Sequence, residues 1–276
     1  PDFTESPVSV SPGTIQIELG ATAFDYDAGS LWNAGETLVR YGLFNKVEMR
    51  LQLPSAIGGD DLDSGLSDSG FGVKIELGSF AQRVEMALIA STTLPTGADD
   101  FTSDAVDPGL ILAAGMMLND RVSLGSQLSA SFDEQGDERV LNSGFTIVSG
   151  FPLSSSVGGF TELAFDFPDG LDTQVTFHTG LVLAFDSRSQ LDIHGGFGLT
   201  DNTPDSFLVE KGVVDTIRTQ YSREGNSLRM EIFLNQNSSY NINKSYSDVL
   251  TIALIKSETE EVTIDKSDLS EKSKLA

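Results

Sequence analysis

Residues 36–53 alternate so strictly that a two-faced β-hairpin is the fold they dictate. Thr37, Val39, Tyr41 and Leu43 fall on one side, and Glu36, Leu38, Arg40 and Gly42 on the other. After Phe44-Asn45-Lys46 the alternation resumes, with Val47, Met49, Leu51 and Leu53 against Glu48, Arg50 and Gln52. A period of two belongs to a β-strand, whose successive side chains point to opposite faces. Here one face is apolar and the other carries charges of both signs. A soluble sheet buries its apolar face and wets the polar one. A membrane barrel turns the apolar face to lipid and the polar face to the lumen.

The rest of the chain favours the barrel. Twelve such stretches follow one another: 14–24, 36–43, 47–53, 71–77, 84–94, 110–118, 122–132, one ending near Phe151, then 157–167, 174–185, 190–199 and a weaker 206–213. Their connections alternate between short turns and longer loops rich in Asp, the first long one reading as 25–34. An even number of antiparallel strands with short turns at one end and long loops at the other is the layout of an outer-membrane barrel. Phe24, Phe71, Phe132, Phe167 and Phe207 fall near the long-loop rim, and Phe44, Phe151 and Phe185 near the short-turn rim. Two aromatic girdles at the membrane interfaces predict that spacing. The expected fold is therefore all-β, an up-and-down antiparallel transmembrane barrel of about twelve strands with a C-terminal non-barrel extension.

Composition narrows the function classes. The 276 residues carry a formal net charge of −24, which argues against nucleic acid as a partner because phosphate is repelled. Cysteine is absent, so neither a disulfide framework nor a thiolate metal site is available. No apolar run reaches the roughly 18 residues of a transmembrane helix. The opening Pro1-Asp2-Phe3 reads as a mature or trimmed product, its signal peptide removed or not included. Before Glu210 there are 30 acidic and 8 basic residues; from Glu210 onward there are 11 and 9. Residues 1–13 are expected to form a lead-in segment, 14–213 the barrel, and 214–276 an extension of unknown structure.

The polar strand faces supply the candidate lumen-lining residues: Glu18, Arg40, Glu48, Arg50, Lys74, Glu76, Glu85, Glu162, His178, Asp192 and His194. Opposite charges on neighbouring strands pair across a sheet, and in a narrow barrel they either fill the lumen or line a polar path. His178, Asp192 and His194 invite a base-and-orienter reading, but no Gly-x-Ser-x-Gly elbow accompanies them. One histidine per strand has no metal-ligand spacing either. No catalytic residue, metal site or cofactor is expected, and the chain is not read as an enzyme. Asp60, Asp61, Asp63, Asp99 and Asp100 are candidate acidic positions on the outer loops. They are expected to be solvated, with a possible bias toward cationic solutes or divalent cations bridging surface lipopolysaccharide.

Several short motifs, in order, resemble one family. They are Pro1-Asp2-Phe3-Thr4-Glu5-Ser6-Pro7, Pro12-Gly13, Leu38-Val39-Arg40-Tyr41-Gly42-Leu43 with the following Glu48, Gly70-Phe71-Gly72-Val73-Lys74, Leu94-Pro95-Thr96-Gly97, Phe160-Thr161-Glu162, and Gln190-Leu191-Asp192-Ile193-His194-Gly195-Gly196. Over residues 1–212 the chain is similar to the MetA-pathway of phenol degradation family of outer-membrane transporter-like barrels. The resemblance implies a bacterial outer-membrane location and a passive channel or transporter for small solutes, including aromatic or hydrophobic ones. It also implies outer-membrane lipid and the barrel-assembly machinery as partners. The family's closing glycine-rich strand ends on an aromatic residue that serves as an assembly signal; here Phe207-Leu208-Val209 runs on into Glu210-Lys211-Gly212. Two alternatives stay open: a soluble or surface-attached acidic all-β binding protein, and a closed structural barrel without transport.

Overall fold

The computed structural model describes residues 3–26, 29–60, 62–135, 138–201, 203–224, 227–234, 239–245 and 262–264. Residues 1–12 and 16–214 form one compact unit, and residues 13–15 with 215–276 a second.

The first unit is a closed barrel. Its strands are β1 (Thr14–Tyr26) from Gln16 on, β2 (Gly29–Phe44), β3 (Val47–Leu53), β6 (Ser69–Phe80), β7 (Val84–Leu94), β8 (Asp107–Met117), β9 (Ser123–Gln135), β10 (Glu138–Pro152), β11 (Val157–Phe167), β12 (Gln174–Ala184), β13 (Ser189–Gly198) and the first part of β14 (Asp205–Glu224). Each pairs with the next, and β1 pairs with both β2 and β14, which closes the ring. The remaining strands of this unit, β4 (Ala56–Gly59) and β5 (Leu62–Leu66), form a hairpin in the loop after β3. The twelve-stranded barrel expected from the alternation is what forms. In the second unit, residues 217–224 of β14 pair antiparallel with β15 (Ser227–Leu234), β15 antiparallel with β16 (Ser239–Ser245), and β16 parallel with β17 (Val262–Ile264).

The faces sort as a membrane barrel requires. In the founding hairpin Val39 stands opposite Leu51 and Tyr41 opposite Met49, while Arg40 stands opposite Arg50 and Gly42 opposite Glu48. Leu19, Leu51, Ile75, Leu110, Leu128, Leu181 and Phe197 are exposed on the outer surface. The inner positions Glu48, Lys74, Glu162, His178, Asp192 and His194 are buried. This inverts a soluble protein, and a hydrocarbon environment accounts for it: closed barrels satisfy every backbone group in the wall and can offer lipid an apolar exterior. Among the described residues no helix is long and apolar enough to cross a membrane; the strands make the crossing.

Three details depart from the sequence reading. The stretch 25–34 is mostly strand, with β1 reaching Tyr26 and β2 beginning at Gly29. These strands run on past the apolar belt, where water tolerates polar side chains on both faces and the alternation signal fades. Residues 54–70 also contain structure, because β4 adds to the start of β2 through Leu31–Ala34. Finally, Phe24 shares the inner face of β1 with Glu18 and Thr22 and packs against Tyr26 at a ring-centroid distance of 6.3 Å. It therefore does not belong to the outer girdle, where Phe71, Phe132, Phe167 and Phe207 are exposed, with Phe44, Phe80 and Phe185 at the short-turn end.

Candidate functional site: the lumen and the segment inside it

A strandless segment, residues 3–12, occupies the lumen. It enters from the short-turn end, where Pro12 forms a parallel bridge with Gly42 of β2. A side chain at position 42 would collide with it: a Cβ there would lie 2.0 Å from the Ser11 carbonyl oxygen. With no neighbouring strand to pair with, the segment's backbone needs other partners, and charged side chains of the wall supply them. Val10 N donates to Glu48 Oε2 at 2.9 Å, and Ser9 donates through N and Oγ to Glu76 Oε1 at 2.8 and 2.6 Å. Lys74 Nζ donates to the Ser6 carbonyl at 2.9 Å, and Arg40 Nη2 to that of Val8 at 3.4 Å.

Glu5 is the electrostatic centre of this contact. Its carboxylate takes both terminal nitrogens of Arg50, one of them at 2.9 Å, and Lys74 Nζ at 3.2 Å. Arg40 and Arg50, directly opposed across β2 and β3, repel each other unless an anion lies between them. Glu48 is that anion, held bidentately by Arg40 at 2.7 and 2.9 Å and reached by Arg50 Nη1 at 3.4 Å. Arg40 Nη1 also donates to Glu18 at 3.0 Å. Lys74 and Glu48 are wholly buried, so the pairing offsets a desolvation cost that neither would survive alone.

Deeper in, the segment meets β9 to β13. Gln127 accepts from Glu5 N at 2.7 Å and donates to the Phe3 carbonyl at 2.9 Å. Glu162 accepts from Thr4 Oγ1 at 2.5 Å and from Phe3 N at 3.0 Å. The Phe3 ring packs on His178 at a centroid distance of 4.5 Å and edge-on to His194 at 6.2 Å. Glycines make room for these imidazoles. A Cβ on Gly196 would meet His178 Cε1 at 2.7 Å, and one on Gly180 would meet His194 Cβ at 2.4 Å. His178 and His194, 5.9 Å apart, serve as an aromatic seat for Phe3. Asp192 is buried and accepts from Gln190 Nε2 at 2.8 Å.

The structure thus brings together ten of the candidate lumen residues. Glu85 stands apart at the exposed short-turn rim, hydrogen-bonded to Ser79. Of the outer-loop aspartates, Asp63, Asp99 and Asp100 are exposed, and Asp61 lies outside the described residues. Asp60 accepts from Ser30 N at 2.9 Å and Oγ at 2.8 Å, bonds that hold its carboxyl below the usual range. Asp68, at the foot of the same loop, is a stronger organiser. Partial burial pushes its carboxyl up, but donors from Gly97, Thr102, Thr96 and Ser103 outweigh this and hold it below the usual range.

Sequence reasoning missed Phe3, Thr4, Glu5 and Gln127, and also Glu36 and Glu210. Parity alone puts Glu36 on the face of Arg40. The only signal for residues 3–5 was that the family resemblance extended into a segment with no strand pattern. On the long-loop side of Glu5 lies a cavity of about 370 Å³. Its seam wall carries Glu18 and Glu36 with Glu210 of β14, its floor the Glu5–Arg50 pair, and its far wall Ile89 and Ile111.

A family model described as "Putative MetA-pathway of phenol degradation" matches residues 1–214. No curated protein matches the chain. Among solved structures, the COG4313 outer membrane channel from Pseudomonas putida F1 is similar at 13% identity and a TM-score of 0.59, over 75% of this chain and 97% of that one. The NanC porin is similar at 8% identity and a TM-score of 0.54, over 71% and 98%. The KdgM porin, solved with disordered oligogalacturonate, is similar at 10% identity and a TM-score of 0.50, over 71% and 98%. At such identities the likeness concerns the barrel fold.

Proposed function

Because the chain belongs to the family described as "Putative MetA-pathway of phenol degradation", we propose that it is a passive outer-membrane channel for small solutes, aromatic or hydrophobic ones among them. The observation that carries this reading is the division of the lumen. One half holds the N-terminal segment, clamped through Glu5, and the other holds a cavity of about 370 Å³. That volume falls within the roughly 300–1,000 Å³ of small-molecule sites. Solutes of that size enter from the long-loop side, and the segment sets the width of the path beyond. Lipid around the apolar exterior, the barrel-assembly machinery during insertion and a small solute are the partners this reading implies. The net charge of −24 speaks against nucleic acid. Neither a cofactor nor a catalytic step belongs to it.

The interlocked charges favour one rival, a closed structural barrel. Liposome swelling with small aromatic and sugar solutes separates the two. The channel reading expects solute-dependent swelling above empty liposomes, increased when Glu5 is replaced. Swelling at the empty-liposome level for both the native chain and its Glu5→Ala variant refutes it.

A further inference from the structure

Eight basic residues stand before Glu210. Arg40, Arg50 and Lys74 lie in the lumen, and Arg139 pairs with Asp107 at 2.7 Å and Glu134 at 3.2 Å at the long-loop end. The other four occupy the short turns, one to a turn: Lys46 between β2 and β3, Arg83 between β6 and β7, Arg121 between β8 and β9, and Arg188 between β12 and β13. The long loops, by contrast, hold most of the barrel's aspartates. Lys46, Arg83 and Arg121 follow one another around the rim, because β3 pairs with β6 and β7 with β8. Each comes just after an exposed apolar side chain: Phe44 stands two residues before Lys46, Phe80 three before Arg83, and Leu118 three before Arg121. Backbone bonds fix that step. Arg83 N donates to the Phe80 carbonyl at 3.2 Å, and Leu118 N to the Val122 carbonyl at 2.9 Å. Lys46, at a left-handed φ of 68°, accepts through its carbonyl from Glu76 N at 2.9 Å. All three bases are exposed, and among the described residues their charged groups form no ion pair. The neighbouring carboxylates do not neutralise them: Glu85 accepts from Ser79 Oγ, and Asp120 is exposed to water.

Solubility does not call for this arrangement, since a net charge of −24 already keeps copies of the chain apart. Position does. A base at the end of a lipid-facing row stands at headgroup depth, where a long side chain lays its stem along apolar surface and keeps its charge in the polar layer. The anion it meets there is a lipid phosphate. In an outer-membrane barrel the short turns face the periplasm. We infer that the short-turn rim is a docking surface for anionic phospholipid of the periplasmic leaflet. Phosphodiester headgroups of the phosphatidylglycerol type seat at Lys46, Arg83 and Arg121, with acyl chains against Phe44, Phe80 and Leu118. Arg188 shares its turn with Asp186 and is not part of the site. The acidic long loops repel the same headgroups, so the preference belongs to one end of the barrel. The inference needs only that the barrel crosses a bilayer and is independent of solute passage.

Native mass spectrometry of the full chain in detergent tests it, with phosphatidylglycerol and phosphatidylcholine of matched acyl chains as the probes. One base near a membrane surface favours an anionic headgroup by roughly fivefold. The native chain should therefore retain phosphatidylglycerol about fivefold more tightly than phosphatidylcholine. Replacing all three bases together, Lys46→Gln, Arg83→Gln and Arg121→Gln, should bring the two lipids to equal affinity. Arg139→Gln, the same change of charge at the other end, should leave the preference intact. Equal affinity of the native chain for the two lipids overturns the proposal and leaves the arc to a water-soluble polyanion. A triple variant that keeps both the heat-modifiable gel shift and the preference overturns it as well. Where the triple variant loses the gel shift, the three single variants decide, and undiminished preference in all of them overturns the proposal. Liposome swelling on the same preparations reports the channel separately: swelling without lipid preference removes the rim site alone, and preference without swelling removes the channel alone.

Discussion

Replacing Glu5 with alanine should open the barrel. The substitution strips Arg50 of two charge-assisted contacts and Lys74 of one at 3.2 Å. At about 3 Å and an effective dielectric of ~20, each ion contact is worth roughly 5 kcal/mol before desolvation is counted. Removing one partner of a buried pair costs about 3–5 kcal/mol, because the other charge stays behind unpaired. The wall need not bear that cost, since the segment can leave and water can enter to hydrate Arg50 and Lys74. The equilibrium between seated and released segment should then shift by roughly two to three powers of ten, at about 1.4 kcal/mol per factor of ten. Planar-bilayer recording should show a higher open probability or larger conductance steps, with the heat-modifiable gel shift retained. Arg50→Ala alone should act in the same direction through Glu5. The double variant should lose less than the sum of the two singles, because a pair in contact is not additive. Native conductance in Glu5→Ala, or strict additivity in the cycle, would refute the clamp.

Three further outcomes follow from separate parts of the molecule. Gly42→Val should expel the entering segment, since a Cβ at that position falls 2.0 Å from the Ser11 carbonyl oxygen; the N-terminal residues should become protease-sensitive while the barrel keeps its gel shift. Leu128→Arg, on the exposed outer face of β9, should cost about 2–4 kcal/mol near the bilayer midplane and lower the urea midpoint of refolding into lipid, whereas neutral Leu128→Met should not. Asp68, held below the usual carboxylate range by its donors, stabilises its loop above that range and loses this contribution as pH falls through its lowered folded value. Limited proteolysis of residues 95–104 should therefore be slow at neutral pH, accelerate only in strong acid, and lose that pH dependence in Asp68→Asn.

The barrel was legible because its wall obeys a local rule. Val39, Tyr41, Met49 and Leu51 announce the outer face by period alone, and Arg40, Glu48 and Arg50 the inner one. Lipid against one face and a narrow lumen against the other leave each position little freedom. The rule weakens wherever the two environments become alike. At 25–34 both faces meet water, so β1 and β2 extend further than their patterning suggests, and the β4–β5 hairpin reads as an acidic loop.

What period cannot report is the content of the lumen. Three cations on adjacent strands, Arg40, Arg50 and Lys74, face inward with Glu18, Glu48 and Glu76 beside them, and this set taken alone balances. The contacts show otherwise. Arg40 goes to Glu18 and Glu48, Glu76 turns to Ser9, and Lys74 finds its carboxylate at Glu5. A count of charges on the wall therefore could not reveal that Lys74 lacks a wall anion of its own; only the geometry of each pair does.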